Sequence, residues 1–268
     1  MVKLIVPLAD HFLDRVTYRG MKHLEDIKKK FIQFGLLDRV KESPFKQFFL
    51  ASEFNFSGVL VHQFMLTKIH TDLQNEVHFC LGTKKCRFGV EEFALVTGLN
   101  FGPGSSQAEL DEQLKCNRLL TYYFSGLEKV KFMQLTAAFD ACQVVDDIYK
   151  LGLCVFVEGV LNGIEGKLYI KNGLLSIVED VELFFKYPWG KYSYNRLLGS
   201  CKKDMQRQRQ LYEKKKMGGR QGAKGVQVYI LRICPSPSVL GLRDGTSTRA
   251  RILLEGTATR PRGCSLGL

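Results

Sequence analysis

The sequence predicts an α+β protein that is predominantly α-helical, with one small antiparallel β-hairpin and a disordered basic C-terminal tail. Apolar residues recur at the helical period through most of residues 21–200. One short stretch is instead rich in β-branched and aromatic residues on both sides of a glycine turn. The charge is uneven, because residues 1–200 carry 24 Lys and Arg against 23 Asp and Glu, whereas residues 201–268 carry 15 against 4. These observations divide the chain into a weakly ordered leader (1–20), a globular domain (21–200) and a basic tail of low order (201–268).

The first helix of the domain is expected from residue 21 onward. Leu24, Ile27 and Phe31 follow the helical spacing, and Gly35 is expected to end the helix. The three lysines at 28–30 are expected on its solvated face.

Two serines are expected to begin the next helices. Ser43 precedes Pro44 as an N-cap precedes a first-turn proline, which indicates a short helix. Ser57 is expected to cap a longer helix that continues through Ile69.

The hairpin is expected between residues 76–81 and 86–88, around the turn Gly-Thr-Lys-Lys. A short helix should follow, with Gly89 as N-cap and Gly98 just beyond its last turn. The glycine-rich loop at residues 100–106 lacks the lysine of a phosphate-binding loop, so we interpret it as a turn rather than an anion cradle.

The most hydrophobic helix is expected to begin at an Asp146 cap and to run through Leu161, apolar on all sides. Glu158 within it must be paired, hydrogen-bonded or neutralised, and a structural role is favoured over a catalytic acid. Shorter helices are expected over residues 136–142 and 174–185.

An aromatic segment, YPWGKYSYNRLLG at residues 187–199, allows two interpretations. Its tryptophan and tyrosines could form a stacking platform for nucleic acid bases. Alternatively they brace the core with their polar ends in water, which is the favoured interpretation.

Several stretches of the domain form a characteristic set: FSGVLVHQFML at residues 56–66, EVHF at 76–79, CRFGVEEFALVTGL at 86–99, FVEGVL at 156–161 and IVEDVELFFKYPWGKYSYNRLL at 177–198. Over roughly residues 24–200 the chain thereby resembles the plant domain of unknown function nineteen eighty-five. The resemblance implies a setting and no chemistry, because in its relatives this domain commonly stands upstream of a ubiquitin-like-specific cysteine protease domain in transposon-derived plant proteins.

The sequence predicts that this chain is not an enzyme and needs no cofactor. A protease of the implied class needs a histidine that precedes its cysteine, yet the last histidine is His78 and no Asp-Cys-Gly element follows it. The eight cysteines include no C-x-x-C pair, and no apolar stretch approaches the roughly 18 residues needed to cross a bilayer. We therefore expect an intracellular protein with no membrane contact, and the nucleus is a candidate location.

The preferred function is that of a non-catalytic interaction domain with an unknown protein partner. The first alternative is weak nucleic-acid binding, or nuclear import, through a basic helical segment within residues 202–225. Its candidate residues are Lys202, Lys203, Arg207, Arg209, Lys214, Lys215 and Lys216.

The second alternative is a small structural zinc site at the hairpin. His78 and Cys80 are two apart and share one face of a strand, and Cys86 lies on the partner strand, so three ligands could converge. A fourth ligand is not assigned, and we expect no metal.

Overall fold

The computed structural model describes residues 3–51, 56–217 and 226–227, and in these ranges the chain is predominantly helical with short strands. This confirms the predicted fold class. The tail predicted from residue 201 lies outside the described residues, except for residues 201–217 and Val226–Gln227. The division into leader, domain and tail stays a prediction.

The helices are named in chain order. They are α1 (Gly20–Gln33), α2 (Leu37–Lys41), α3 (Lys46–Leu50), α4 (Gly58–Leu66), α5 (Val90–Thr97), α6 (Gln107–Gln113), α7 (Arg118–Phe124), α8 (Phe132–Ala141), α9 (Val145–Val155), α10 (Leu174–Ile177), α11 (Val181–Lys186), α12 (Trp189–Cys201) and α13 (Met205–Met217). A 3₁₀ turn covers Leu8–Asp10, and a π-helix, Phe156–Leu161, continues α9 without a break.

The strands form two small sheets. An antiparallel sheet contains β2 (Lys68–Ile69), β3 (Val77–Leu81) and β4 (Lys84–Phe88), with β3 in the middle. Outside it, β1 (Val16–Thr17) pairs in parallel with β5 (Val226–Gln227). The predicted hairpin is β3–β4, which is confirmed with a shorter turn.

The third strand, β2, corrects the helix expected through Ile69. Helix α4 ends at Leu66, and Lys68 pairs with Phe79 in the sheet. The Lys68 side chain is buried, and its Nζ donates to the carbonyl oxygens of Cys201 (2.6 Å) and Lys203 (3.1 Å) at the end of α12. The contacts of Lys68 with α12 therefore stabilise a strand at residues 68–69, where the sequence pattern predicted a further turn of helix.

Two of the expected N-caps are wrong. Helix α3 begins at Lys46, because the Ser43 hydroxyl donates to the Val40 carbonyl and accepts from the Phe45 N–H, which closes α2 instead. Helix α9 begins at Val145 rather than after Asp146, whose carboxylate forms ion pairs with Arg39 and Lys150.

The other caps are confirmed. The Ser57 hydroxyl accepts from the Leu60 N–H at 3.3 Å, at the start of α4. Before α5, the Glu92 carboxylate accepts from the Gly89 N–H at 2.7 Å. Beyond α5, Gly98 adopts a φ of +59°, the left-handed region that glycine enters without strain.

The core is arranged around α9 and the π-helix, which are buried on all sides as predicted. Helix α1 crosses α9 closely at Gly152, where a Cβ atom would lie 2.5 Å from the Phe31 ring. The same ring stacks on Phe49 and contacts Tyr149. Glycine at this crossing therefore sets the distance between the two helices.

The described parts of the leader and the tail contact the core. Val6, Phe12 and Val16 are buried, which their weak pattern did not indicate. The Phe12 ring lies 5.3 Å from that of Tyr212 in α13, between ring centres. Within the described residues, no helix is long and apolar enough to span a bilayer.

Candidate functional site: a cleft beside the π-helix

The candidate site is a cleft of about 310 Å³ between α1, α8 and the end of the π-helix. Its buried lining includes Phe132, Phe139, Val155 and Ile164, which are apolar. Its charged and polar lining comes from α1 and its N-cap, from α8 and from the loop after the π-helix: Arg19, Lys22, His23, Asp26, Asp140 and Glu165. The cleft thus combines an apolar interior with walls of both charges.

The π-helix shapes one wall of the cleft. In a π-helix the backbone bonds join residues five apart, as in the bond from the Asn162 N–H to the Val157 carbonyl at 3.0 Å. The Val160 carbonyl accepts from the Tyr18 hydroxyl at 2.8 Å, which ties the wall to the segment before α1. Single π-helical turns are rare in proteins, and those that occur are frequently found at functional sites.

Gly159 leaves space for the His23 ring in the cleft. A Cβ atom on Gly159 would lie 2.6 Å from the Phe132 ring and 3.1 Å from His23 Cδ2, so a larger residue would displace both rings. The two rings meet edge to face, 5.0 Å apart and at 87°. The glycine of the π-helix therefore positions the imidazole.

Helix α1 contributes a stripe of four residues to the cleft. Arg19, Lys22, His23 and Asp26 are spaced i, i+3, i+4 and i+7, which places them on one face of a helix. The charge changes sign along this stripe over roughly 10 Å, at a rise of about 1.5 Å per residue. One end of the cleft wall is therefore cationic and the other anionic.

The surroundings of the stripe shift two ionisation equilibria. Burial lowers the pKa of His23, although the nearby Asp26 acts in the opposite direction. Burial raises the pKa of Asp140, and the Asp26 carboxylate adds to this while Lys30 opposes it. The lowered pKa of His23 favours its neutral imidazole, so His23 supplies hydrogen bonding rather than charge at neutral pH.

Lys30 is held at the end of α8 rather than on a solvated face, which corrects the expectation for this lysine. Its Nζ donates to the carbonyl oxygens of Phe139 (2.5 Å) and Asp140 (2.8 Å). A cation at a helix C-terminus satisfies carbonyl groups that have no partner within the helix.

The cleft is better equipped for binding than for covalent chemistry. Among the described residues that line it, the hydroxyl groups belong to Thr17 and Thr136, and the Thr136 hydroxyl donates to the Met133 carbonyl at 3.1 Å. Apart from the His23 ring, the remaining polar side chains end in charges of both signs, so they can pair with a ligand that carries both an acidic and a basic group. The arrangement can therefore hold a ligand by ion pairs around an apolar centre.

The predicted basic residues differ in their surroundings. Lys202 donates to the Gln74 carbonyl, and Arg209 forms ion pairs with Asp10 and Glu213. Lys203 is half-buried, and burial lowers its pKa. Lys202, Arg207, Lys214 and Lys216 are exposed to solvent, and the side chain of Lys215 lies outside the described residues.

The second alternative, in which His78, Cys80 and Cys86 converge, is wrong. Cys86 stands opposite Phe79 in the ladder and is buried toward the core. His78 and Cys80 lie on the other face of the sheet, because successive residues of a strand point to opposite faces. The His78 ring contacts the Glu76 carboxylate instead.

Glu158 is buried, as predicted, with 1 % of its surface exposed. Its carboxylate accepts from the Lys171 N–H (2.7 Å) and from the Asn162 side-chain amide (3.2 Å). Burial raises the pKa of Glu158, and these hydrogen bonds and the charge of Arg196 oppose the rise. The residue joins the π-helix to the following loop and does not line the cleft.

The aromatic segment braces the core, so the stacking platform is wrong. The polar ends of Trp189 and Tyr194 donate to backbone carbonyls rather than to water, which corrects that part of the favoured interpretation. Trp189 and Tyr194 are buried, and the Trp189 indole donates to the Phe184 carbonyl at 2.7 Å. The neighbouring loop at residues 100–106 is a turn, as interpreted. Its Asn100 side chain accepts from the Gly102 N–H and donates to the Lys186 carbonyl.

A buried charge network lies apart from the cleft. Arg118 forms a bidentate pair with Asp147 (2.6 and 3.1 Å) and also contacts Glu179 (2.9 Å). The Tyr123 hydroxyl donates to Asp147, and Lys150 pairs with Glu179. These groups connect α7 and α9 to the segment before α11, which is a structural function.

Sequence reasoning missed the cleft, although one signal was present. The segment RGMKHLED at residues 19–26 carries its charged residues at helical spacing, on the side of α1 that faces α8 and the π-helix. The other contributors, Asp140 and Glu165, are more than a hundred residues away, so no local pattern connects them with α1.

Comparison with known proteins gives one match. The model of a family described as Domain of unknown function (DUF1985) matches residues 65–200, which include α8, the π-helix and the loop after it. Helix α1 lies outside the matched range. Neither the curated proteins nor the solved structures contain a match to this chain.

Proposed function

We propose that this chain, which belongs to the family described as Domain of unknown function (DUF1985), is a non-catalytic protein-interaction domain. The observation that supports this function best is an exposed apolar patch at the edge of the cleft. We call this patch the apolar rim; it consists of Met133, Leu168 and Tyr169.

The members of the apolar rim are neighbours in space. The Met133 N–H donates to the Gly166 carbonyl, the Phe132 N–H donates to the Leu168 carbonyl, and a β-bridge joins Lys131 to Tyr169. Met133 also lines the cleft. The exposed fraction is 55 % for Met133, 38 % for Leu168 and 53 % for Tyr169.

Such a surface is typical of protein recognition. Methionine adapts its shape to a partner, and tyrosine and methionine are enriched in interfaces relative to the rest of protein surfaces. Exposed apolar residues gathered beside a concave polar site mark interaction sites more often than scattered ones do. The apolar rim and the cleft together form one continuous binding face.

The absence of catalysis is part of the proposal. Glu158 and Asp147, both buried carboxylates, are held by hydrogen bonds that fix the fold. The Thr136 hydroxyl of the cleft is oriented toward a backbone carbonyl.

The wider setting also belongs to the proposal. The resemblance to domains that stand before ubiquitin-like-specific proteases in transposon-derived plant proteins supports an ancestral role in positioning a neighbouring domain. The basic runs at 202–203 and 214–216 support a nuclear location.

Site-specific photo-crosslinking tests the function. The full chain is expressed in plant cells with p-benzoylphenylalanine at position 169 in the apolar rim, or at position 95. Leu95 is a matched control, because it is 76 % exposed and does not line the cleft. We expect a discrete adduct from position 169 alone, whose protein is identified by mass spectrometry.

The identified protein is then purified and titrated against the chain. Met133→Asp should weaken binding about tenfold, which corresponds to about 1.4 kcal/mol, and Leu95→Asp should leave it unchanged. Equal adducts at positions 169 and 95, or equal effects of the two substitutions, would refute the proposed function.

Nucleic-acid binding is a second candidate, supported by exposed Arg207, Lys214 and Lys216 on α13. Arg207 and Lys214 are seven apart and share one face of the helix, whereas Lys216 lies on another face. A gel shift at several salt concentrations tests it, since binding through phosphates weakens steeply as salt rises. Binding that ignores salt, or that survives Arg207→Gln with Lys214→Gln, contradicts this candidate.

A further inference from the structure

We propose that the cleft binds an extended segment of the partner that presents one acidic and one basic side chain, two residues apart in sequence. This inference rests on the proposed function and specifies the chemistry of the segment recognised. It is carried by the order of charges along the cleft, by their spacing and by the size of the cavity.

The charges that α1, its N-cap and α8 contribute to the cleft are ordered along it. Arg19 and Lys22 lie at the start of α1, where the unpaired N–H groups of the first turn add positive potential. Asp26 lies one turn further along the helix, and Asp140 belongs to the last turn of α8. A ligand with a single charge would meet its own sign at one end of the cleft.

The spacing of the two ends matches an extended chain. Lys22 and Asp26 are four residues apart on a helix, a rise of about 6 Å. In an extended segment, side chains at i and i+2 point to the same side and lie about 6.4–6.8 Å apart. An acid and a base at these positions therefore reach Lys22 and Asp26 without bending the backbone.

The cavity size and lining suit side chains rather than a folded surface. A volume of about 310 Å³ is at the lower end of the range for ligand pockets, about 300–1,000 Å³. The exposed Met133 side chain, which lines the cleft, can contact the methylene groups of long charged side chains, while their charged ends meet the walls. The apolar rim then contacts the residues that flank the pair.

Peptide selection with the full chain tests the pattern. A phage-displayed library of random heptapeptides is selected on the wild-type protein, and the enriched sequences are compared with the unselected library. We expect enrichment of acid-x-base or base-x-acid peptides, since an extended chain can lie in the cleft in either direction. Enrichment of peptides with one sign of charge, or without charge, overturns the inference.

A double-mutant cycle then locates the contact. The best mixed-charge peptide and its variant with glutamine in place of the basic residue are titrated against wild type and Asp26→Asn by fluorescence polarisation. Either change alone should weaken binding about fivefold, and both together should cost little more. Asp38→Asn is the control, because Asp38 is an exposed acid on α2 that does not line the cleft.

The outcomes separate this inference from the proposed function. Independent effects of the two changes overturn the inference, as does a loss caused equally by Asp38→Asn. If the selected peptides have no charge pattern but Met133→Asp still weakens their binding, the proposed interaction function stands and only the charge pair is refuted. No enriched peptide at all also overturns the inference, and the crosslinks at position 169 then decide the proposed function by themselves. Circular dichroism of Asp26→Asn confirms that the variant is folded.

Discussion

Replacement of Arg118 by methionine should destabilise the fold by about 2–3 kcal/mol at neutral pH. The guanidinium bonds both oxygens of Asp147 and one oxygen of Glu179, so the substitution removes the cation shared by two buried carboxylates. Methionine retains most of the apolar stem of the arginine side chain. The decrease in the free energy of unfolding therefore measures the contribution of the charged contacts.

The magnitude follows from the burial of each partner. Breaking a fully buried pair costs about 3–5 kcal/mol, because one charge is left without compensation. Asp147 is only 3 % exposed, but 49 % of the Arg118 side chain is exposed, so water screens part of the interaction. Asp147 also keeps the Tyr123 hydroxyl, and Glu179 keeps Lys150. These features place the expected value below the fully buried range.

The destabilisation should also depend on pH. Burial by itself would raise the pKa of Asp147, but the hydrogen bonds from Arg118 and Tyr123 outweigh burial and hold the pKa below the ordinary value of 3.8. A depressed pKa gives stability that is fully present above pH 3.8 and is lost as pH falls through the native value. In Arg118→Met the burial persists without the cation, so the pKa rises and the variant gains stability relative to wild type as the pH is lowered.

Urea unfolding, followed by Trp189 fluorescence at pH 7 and near pH 4, measures both effects. Lys115→Met is the control, because Lys115 and Glu112 form an exposed ion pair that should contribute less than about 1 kcal/mol. The difference between wild type and Arg118→Met should be smaller at the lower pH. A loss below about 1 kcal/mol at pH 7, or a loss equal at both pH values, would refute the reasoning.

Three further predictions concern single residues. Lys68→Met should lower the free energy of unfolding by about 2 kcal/mol or more, since it leaves two carbonyl groups at the end of α12 without a donor; urea unfolding checks this, and an unchanged midpoint contradicts it. Gly152→Ala should cost about 1–3 kcal/mol, because its Cβ would lie 2.5 Å from the Phe31 ring; thermal unfolding that matches wild type would show that the helices separate freely. Glu158→Gln should remove a pH dependence: burial raises the pKa of Glu158 above 4.5, so wild-type stability declines as pH rises through the native value, whereas glutamine does not titrate. Equal slopes of stability against pH in the two proteins would contradict the last prediction.

Local sequence signals predicted those features that depend on neighbours within about four residues. The Ser57 cap, the glycines before and after α5 and the period of α1 each involve a hydrogen bond or a face within one element. The hairpin β3–β4 belongs to the same class, because its two strands are joined by a short turn. The all-round apolar character of α9 and the π-helix predicted that they would be buried.

Contacts between distant segments decided the rest. Lys68 belongs to a strand because its ammonium is buried against the end of α12, more than 130 residues later. The partners of Lys30 and Arg118 likewise lie in other elements, so no local spacing could reveal their roles.

The binding face illustrates the same division. The sequence by itself determined the helical period of α1 from residue 21 onward, which carries Lys22, His23 and Asp26 of the charged stripe, and a family membership. Only the tertiary structure placed that stripe opposite α8 and the π-helix, with Gly159 leaving the space for His23. A helical period specifies which residues share a face, but packing between distant elements decides whether that face closes against a neighbour or borders a cleft.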